Sequence, residues 1–87
     1  MVAIPDHAPQ YEVLKNRDRV RILLPYDEDL YLCLTADNRD HTVKYMFVWR
    51  DNLRPRPILA VHPQELTRLL TGLYILKEIY EREVRKV

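Results

Sequence analysis

The stretch from Pro63 to Lys86 constrains the fold most, because it reads as one uninterrupted helix with more apolar surface than a small sheet can cover. Pro63 suits the first helical position, where its missing N–H costs nothing. Gln64 and Glu65 suit the positive end of the helix dipole. The segment would be about 36 Å long at ~1.5 Å per residue. A four-stranded sheet is only about 15–20 Å wide, so the helix should overhang it. Leu66, Leu69, Leu70, Leu73, Tyr74, Ile75, Leu76, Ile79 and Tyr80 spread over more than half the circumference, against the single stripe of a surface helix. Within them, Leu66, Leu69, Leu73, Leu76 and Tyr80 follow the 3-4-3-4 spacing of a helix–helix seam. Gly72 sits mid-helix at a cost of about 1 kcal/mol relative to Ala, which a close backbone approach would justify. The expectation is a homodimer joined through these helices. The competing reading is a helix buried in a monomer core.

Upstream, the period changes from helical to alternating. Arg19 to Pro25 places Val20, Ile22 and Leu24 on one strand face and Arg19 and Arg21 on the other. Leu30 to Ala36 sets Leu30, Leu32 and Leu34 against Tyr31, Cys33 and Thr35. Thr42 to Arg50 is β-branched and aromatic, with Val43, Tyr45, Phe47 and Trp49 alternating with Lys44, Met46, Val48 and Arg50. Polar turns, Tyr26–Asp29 and Asp37–His41, separate the three. Asp51 to Pro57 reads as a basic, proline-stiffened loop, and Ile58 to Val61 as a short last strand at a sheet edge. Tyr11 to Leu14 is a short strand or a lead-in. The predicted fold is α+β: a four-stranded antiparallel β-meander followed by one long C-terminal α-helix, ββββα. Residues 1–10 form a flexible N-terminal arm, and residues 11–87 the single domain.

A chain of 87 residues buries only about 60% of its unfolded surface, so its core is marginal. Cys33 is the only cysteine, so no intrachain disulfide can supplement that core, and oligomerisation is the remaining common route. A lone cysteine fits a reducing compartment, and the N-terminus lacks the pattern of a signal peptide. The expectation is therefore an intracellular protein, cytoplasmic or nucleoid-associated. Arginine outnumbers lysine and glycine is nearly absent, a composition that leans towards a thermophile.

The candidate sites favour binding over catalysis. No nucleophile–base–orienter set is present, and with Gly72 as the sole glycine there is no phosphate-cradling loop. His7, His41 and His62 have no ligand spacing with Cys33, so neither a metal nor a cofactor is expected. The net charge of +1 excludes a strong whole-surface field for nucleic acid, but the charges are uneven. Lys44, Arg50, Arg54 and Arg56 face only Asp51 in their window. Single-strand binders combine cations for phosphates with aromatics for base stacking. Trp49, with Tyr31 and Tyr45 on neighbouring strands, supplies the aromatics; Lys44, Arg50, Arg54, Arg56 and Arg39 supply the cations. Alternation leaves two arrangements open. Either Tyr45 and Trp49 line the exposed groove, or they lie under the helix and the groove uses Arg19, Arg21, Lys44 and Arg50.

Leu59-Ala60-Val61-His62-Pro63-Gln64-Glu65-Leu66 resembles the junction of last strand and helix in the positive cofactor 4 transcriptional coactivators and their bacterial and archaeal relatives, which bind single-stranded DNA. Arg54-Pro55-Arg56 stands where that family has a basic stretch entering the strand. Tyr45-Met46-Phe47-Val48-Trp49 takes the place of its long strand ending in Tyr-Trp. The likeness covers roughly residues 19–87 in element order. It implies a dimer with helices packed centrally, and single-stranded nucleic acid lying across the sheets. Two alternatives stand beside it: RNA in place of DNA, and a dimeric protein–protein interaction module that binds no nucleic acid.

Overall fold

The computed structural model describes residues 10–57 and 62–83. Five strands and one helix make up this part: β1 (Glu12–Lys15), β2 (Arg19–Pro25), β3 (Leu30–Asp37), β4 (Val43–Trp49), β5 (Pro55–Arg56) and α1 (Pro63–Glu83). All strands join one antiparallel sheet in chain order, so the architecture is an α+β meander closed by a single helix. The strand expected at Ile58–Val61, the helix end at Lys86 and most of the N-terminal arm lie outside the described residues. Two short strands extend the expected sheet. The lead-in becomes β1, where Val13 pairs with Ile22. Pro55 and Arg56, read from sequence as loop, pair with Val48 and Phe47. Proline is tolerated there because a strand edge asks for fewer backbone donors.

Turn chemistry explains how the meander forms with almost no glycine. Each turn is held by an Asn or Asp side chain that accepts backbone N–H groups two or three residues on. Asn16 accepts from Asp18 and Arg19 between β1 and β2, at 2.9 and 2.8 Å. Asp27 accepts from Asp29 and Leu30 between β2 and β3. Asp37 and Asp40 serve the β3–β4 turn, accepting from Arg39 and Thr42. Asn52 accepts from Arg54 before β5. Two residues take the left-handed conformation that glycine usually supplies, His41 (φ 59°) and Leu53 (φ 58°).

Helix α1 packs across β2 and β3. Its Gly72, Leu76 and Ile79 face the sheet and are buried. They meet Val20, Ile22 and Leu24 of β2 and Leu30, Leu32 and Leu34 of β3, with Phe47 of β4 joining the same core. The β3–β4 register pairs Leu34 with Tyr45, Leu32 with Phe47 and Leu30 with Trp49. The aromatic stripe of β4 therefore lies on the helix side of the sheet. Of the two arrangements that alternation allows, this is the one adopted. At the edge of this core Tyr26 packs edge-on to Phe47, centroids 4.7 Å apart. The Arg68 guanidinium lies 4.2 Å over the Tyr26 ring.

The close approach that Gly72 requires is to its own sheet. A Cβ built on Gly72 would stand 2.8 Å from Leu32 Cδ2, and Leu32 is fully buried. Gly72→Ala gains about 1 kcal/mol of helix propensity but overpacks this contact at a cost of about 1–3 kcal/mol. The expected net effect is a loss of about 1 kcal/mol, read as a lower urea midpoint at unchanged m-value. A midpoint equal to or above the wild-type value would show that Leu32 yields freely and that the helix is not seated on it.

Candidate nucleic-acid interface

The sheet face opposite α1 carries the second set of alternating residues. Register places Arg21, Thr35 and Lys44 in one cross-strand row and Leu23, Cys33 and Met46 in the next. Leu23, Cys33 and Val48 form a small buried cluster on this face, covered by Tyr31, Met46 and Leu53. Leu53 reaches it because its left-handed backbone turns the β4–β5 loop over the sheet. Its N–H donates to the Trp49 carbonyl at 2.8 Å. Its own carbonyl accepts from the Arg21 guanidinium at 3.4 Å.

Two basic features flank this plug. Towards the β3–β4 turn lies a groove of about 380 Å³ lined by Arg19, Arg21, Thr35, Lys44 and Met46, among others. At the opposite end the Arg50 guanidinium lies 4.8 Å over the Tyr31 ring, and its Nε donates to the Leu30 carbonyl at 3.4 Å. A guanidinium held flat on a tyrosine offers a charge and a stacking plane together.

The seven residues singled out for nucleic acid divide between the faces. Lys44 lies on the open face, and Arg50 joins it there over Tyr31. Tyr45 and Trp49 lie on the helix side, as the two-residue period of a strand demands. Arg56 is on that side too, its guanidinium 5.4 Å over the Trp49 ring. Arg54 is exposed in the β4–β5 turn, where its carbonyl accepts the Trp49 N–H at 2.9 Å. Arg39 is exposed in the β3–β4 turn and ion-paired with Asp37 at 3.2 Å. No single groove therefore combines Trp49 and Tyr45 with Lys44 and Arg50. Tyr31 is the aromatic that shares the open face with the cations. Its parity with Cys33 and Thr35 was the signal for it, whereas nothing in the sequence marked Leu53 as a residue that folds back on the sheet.

The expected helix seam divides as well. Leu76 is fully buried in the chain's own core, and Leu69, Leu73 and Tyr80 are half-buried against it. Leu66 stays exposed. The apolar stripe facing away from the sheet is Leu66, Leu70 and Tyr74, one step round the helix at i, i+4 spacing. Beside α1 the helix-side face of β4 is incompletely covered. Val43, Tyr45 and Trp49, like the three helix residues, each leave between 37% and 56% of their surface exposed.

The charges at the β3–β4 turn are fixed locally. Hydrogen bonds from Arg39 hold the Asp37 carboxyl below its ordinary pKa, with Arg19 adding to the effect. The Thr42 hydroxyl and N–H do the same for Asp40. Among the described residues no cluster of three or more His, Cys, Asp or Glu is arranged to hold a metal ion. No helix in this part is long and apolar enough to cross a membrane. No protein-family model, curated protein or solved structure matches the chain.

A pH dependence follows from the two carboxylates. Both titrate lower in the folded protein than in the unfolded chain. The stability they lend is complete above the ordinary value of 3.8 and is lost as pH falls through their folded values. Asp37→Asn with Asp40→Asn should lower the urea midpoint at neutral pH and have a smaller effect near about pH 3. An equal penalty at both pH values would mean that the carboxylate charge contributes nothing to the turn.

Proposed function

We infer that the chain binds single-stranded nucleic acid across the open face of its sheet and does so as a homodimer, in the manner of the positive cofactor 4 proteins that its strand–helix junction resembles. The observation that carries this reading is the gathering of Arg19, Arg21, Lys44 and Arg50 on the side of the sheet that α1 leaves uncovered. Arg19, Arg21 and Lys44 give a near-neutral protein a local positive patch in this way, while Arg50 stands among Glu28, Asp29 and Asp51 at the other end. Cations on a sheet follow a phosphate backbone, and the Arg50–Tyr31 pair offers a plane to a base. Of the three aromatics first considered for stacking, Tyr31 keeps the role and Trp49 and Tyr45 lose it. Arg54 and Arg56 stand at the rim of the sheet, within reach of a strand that crosses β4. RNA would meet the same cations and the same plane, so the sugar is left to the assay.

The dimer uses the other side. Of the seven large apolar residues that remain exposed among the described residues, one, Leu14, belongs to the open face; the other six are Leu66, Leu70 and Tyr74 of α1 and Val43, Tyr45 and Trp49 of β4. This concentration also favours the second reading, a module that contacts another protein through the helix side and leaves nucleic acid alone.

Salt-titrated fluorescence anisotropy with a labelled single-stranded oligonucleotide separates the two. Lys44→Glu with Arg50→Glu should weaken binding about tenfold or more at low salt and flatten the log–log salt slope by about two. Unchanged affinity would remove the open face from the interface. The dimer has its own test. Light scattering should give twice the chain mass of 10.5 kDa. Leu70→Glu with Tyr74→Glu should return the single-chain mass while far-UV circular dichroism stays unaltered. A wild-type chain that runs as a monomer at micromolar concentration would rule the dimer out.

A further inference from the structure

The groove beside the β3–β4 turn has features that a solvated charged surface does not need. Arg19 and Lys44 make no ion pair among the described residues, although both line the groove with Arg21. The two nearby carboxylates are already engaged. Asp37 accepts two side-chain hydrogen bonds from Arg39, at 3.3 and 3.2 Å, and Asp40 accepts from the Thr42 hydroxyl at 2.7 Å. Arg21 is held by its terminal nitrogen on the Leu53 carbonyl, while its Nε is buried without a hydrogen-bond partner. A buried charged donor left unsatisfied is costly, and that cost marks the Arg21 guanidinium as a cation held against the groove wall by its terminal nitrogen. The Thr35 hydroxyl has only the weak Cys33 sulfur as neighbour, at 3.5 Å, which leaves it able to donate.

The boundaries of the groove limit what can occupy it. Asp37 and Asp40 close one end with negative charge. Leu53 and Pro55 form an apolar wall at the other, with Met46 between. A volume of about 380 Å³ is at the lower end of ligand pockets. A polyanion lying along the groove would meet the acids at one end, so a strand that continues towards Arg50 leaves the groove over the Leu53 turn. One anionic group fits, with a compact apolar or planar part against Met46, Leu53 and Pro55.

The geometry points to a seat for a single phosphate group, held by Arg19, Arg21 and Lys44 with the Thr35 hydroxyl as a further donor. The inference deepens the nucleic-acid reading, on which it rests for its source of phosphate. Within that reading the seat takes a phosphate at the end of a strand, where the charge stops, in preference to an internal one. A free nucleoside monophosphate presents the same chemistry.

The test compares inorganic phosphate, a nucleoside monophosphate and the unphosphorylated nucleoside by calorimetric titration. The same oligonucleotide, with and without a terminal phosphate, is followed by anisotropy. The expected result is that the monophosphate binds and the nucleoside does not. Lys44→Gln and Arg21→Gln should each lower affinity for the monophosphate about tenfold or more, the scale of one charge-assisted hydrogen bond. Lys77→Gln, on the helix surface, should not. Lys44 is exposed, so its variant stays informative if Arg21→Gln fails to fold. Preference for the phosphorylated oligonucleotide, lost in Lys44→Gln, places the seat on the strand end. Monophosphate binding without any oligonucleotide binding keeps the seat and removes the nucleic-acid function. Oligonucleotide binding that ignores the terminal phosphate and survives both substitutions keeps the function and overturns the seat. Binding of none of the ligands overturns both.

Discussion

The seating of α1 on β2 and β3 through Gly72 is the contact on which the rest of the structure depends. Without a Cβ at Gly72, the helix backbone comes close enough for Leu32 to lie directly beneath it. That approach lets Leu76 and Ile79 reach the sheet and become fully buried. Loss of either to alanine belongs to the class of core truncations that cost about 2–5 kcal/mol, a large share of what a chain this size has to lose. The same seating decides what stays uncovered. A helix centred over β2 and β3 cannot also roof β4, so Val43, Tyr45 and Trp49 remain partly exposed beside it. Among the described residues the opposite face receives no helix, and Arg19, Arg21 and Lys44 lie there.

The turns link this frame to the groove. A meander normally leans on glycine where the backbone must turn left-handed, and here the only glycine is spent on the helix. Asn and Asp side chains replace it at four turns, and His41 and Leu53 take the positive φ values themselves. For a leucine that conformation is costly, and its burial on Leu23, Cys33 and Val48 offsets the cost. The same burial brings the Leu53 carbonyl to Arg21 and gives the groove its apolar wall. A strained turn thus divides the open face between the groove near Lys44 and the Arg50–Tyr31 pair.

The fold was legible wherever local pattern and burial agree. The runs at Arg19–Pro25, Leu30–Ala36 and Thr42–Arg50 became β2, β3 and β4 nearly residue for residue, because each alternates an apolar face with a more polar one. Parity was not legible in β4, since Phe47 and Val48 are both apolar and both end up buried on opposite faces. Only the partner strands decide between them. Arg56 looked like loop because its neighbours are prolines, yet an edge strand of two residues needs little more than its pairing with Phe47. Spacing identifies stripes on a helix but not which stripe the sheet takes: Leu76, read as part of a helix–helix seam, lies with Gly72 and Ile79 in the chain's own core. Arg21 and Leu53 meet across 32 positions of sequence, a contact that no local pattern announces.

The separation of the two faces carries the last step. Lys44 and Tyr45 are adjacent in sequence, yet the strand period sends one to the basic face and the other to the apolar face. A single β-strand therefore supplies both surfaces without compromise between them. Charge on the open face imposes no desolvation on the apolar side, and apolar burial there removes no cation from the groove. Two protomers joined through α1 and the helix side of β4 would turn both open faces outward, each with its groove complete within one chain. Affinity for a phosphate group would then reside in the protomer. Affinity for a longer strand would grow with the pairing of two such faces, which raises the effective concentration of the second site once the first is filled.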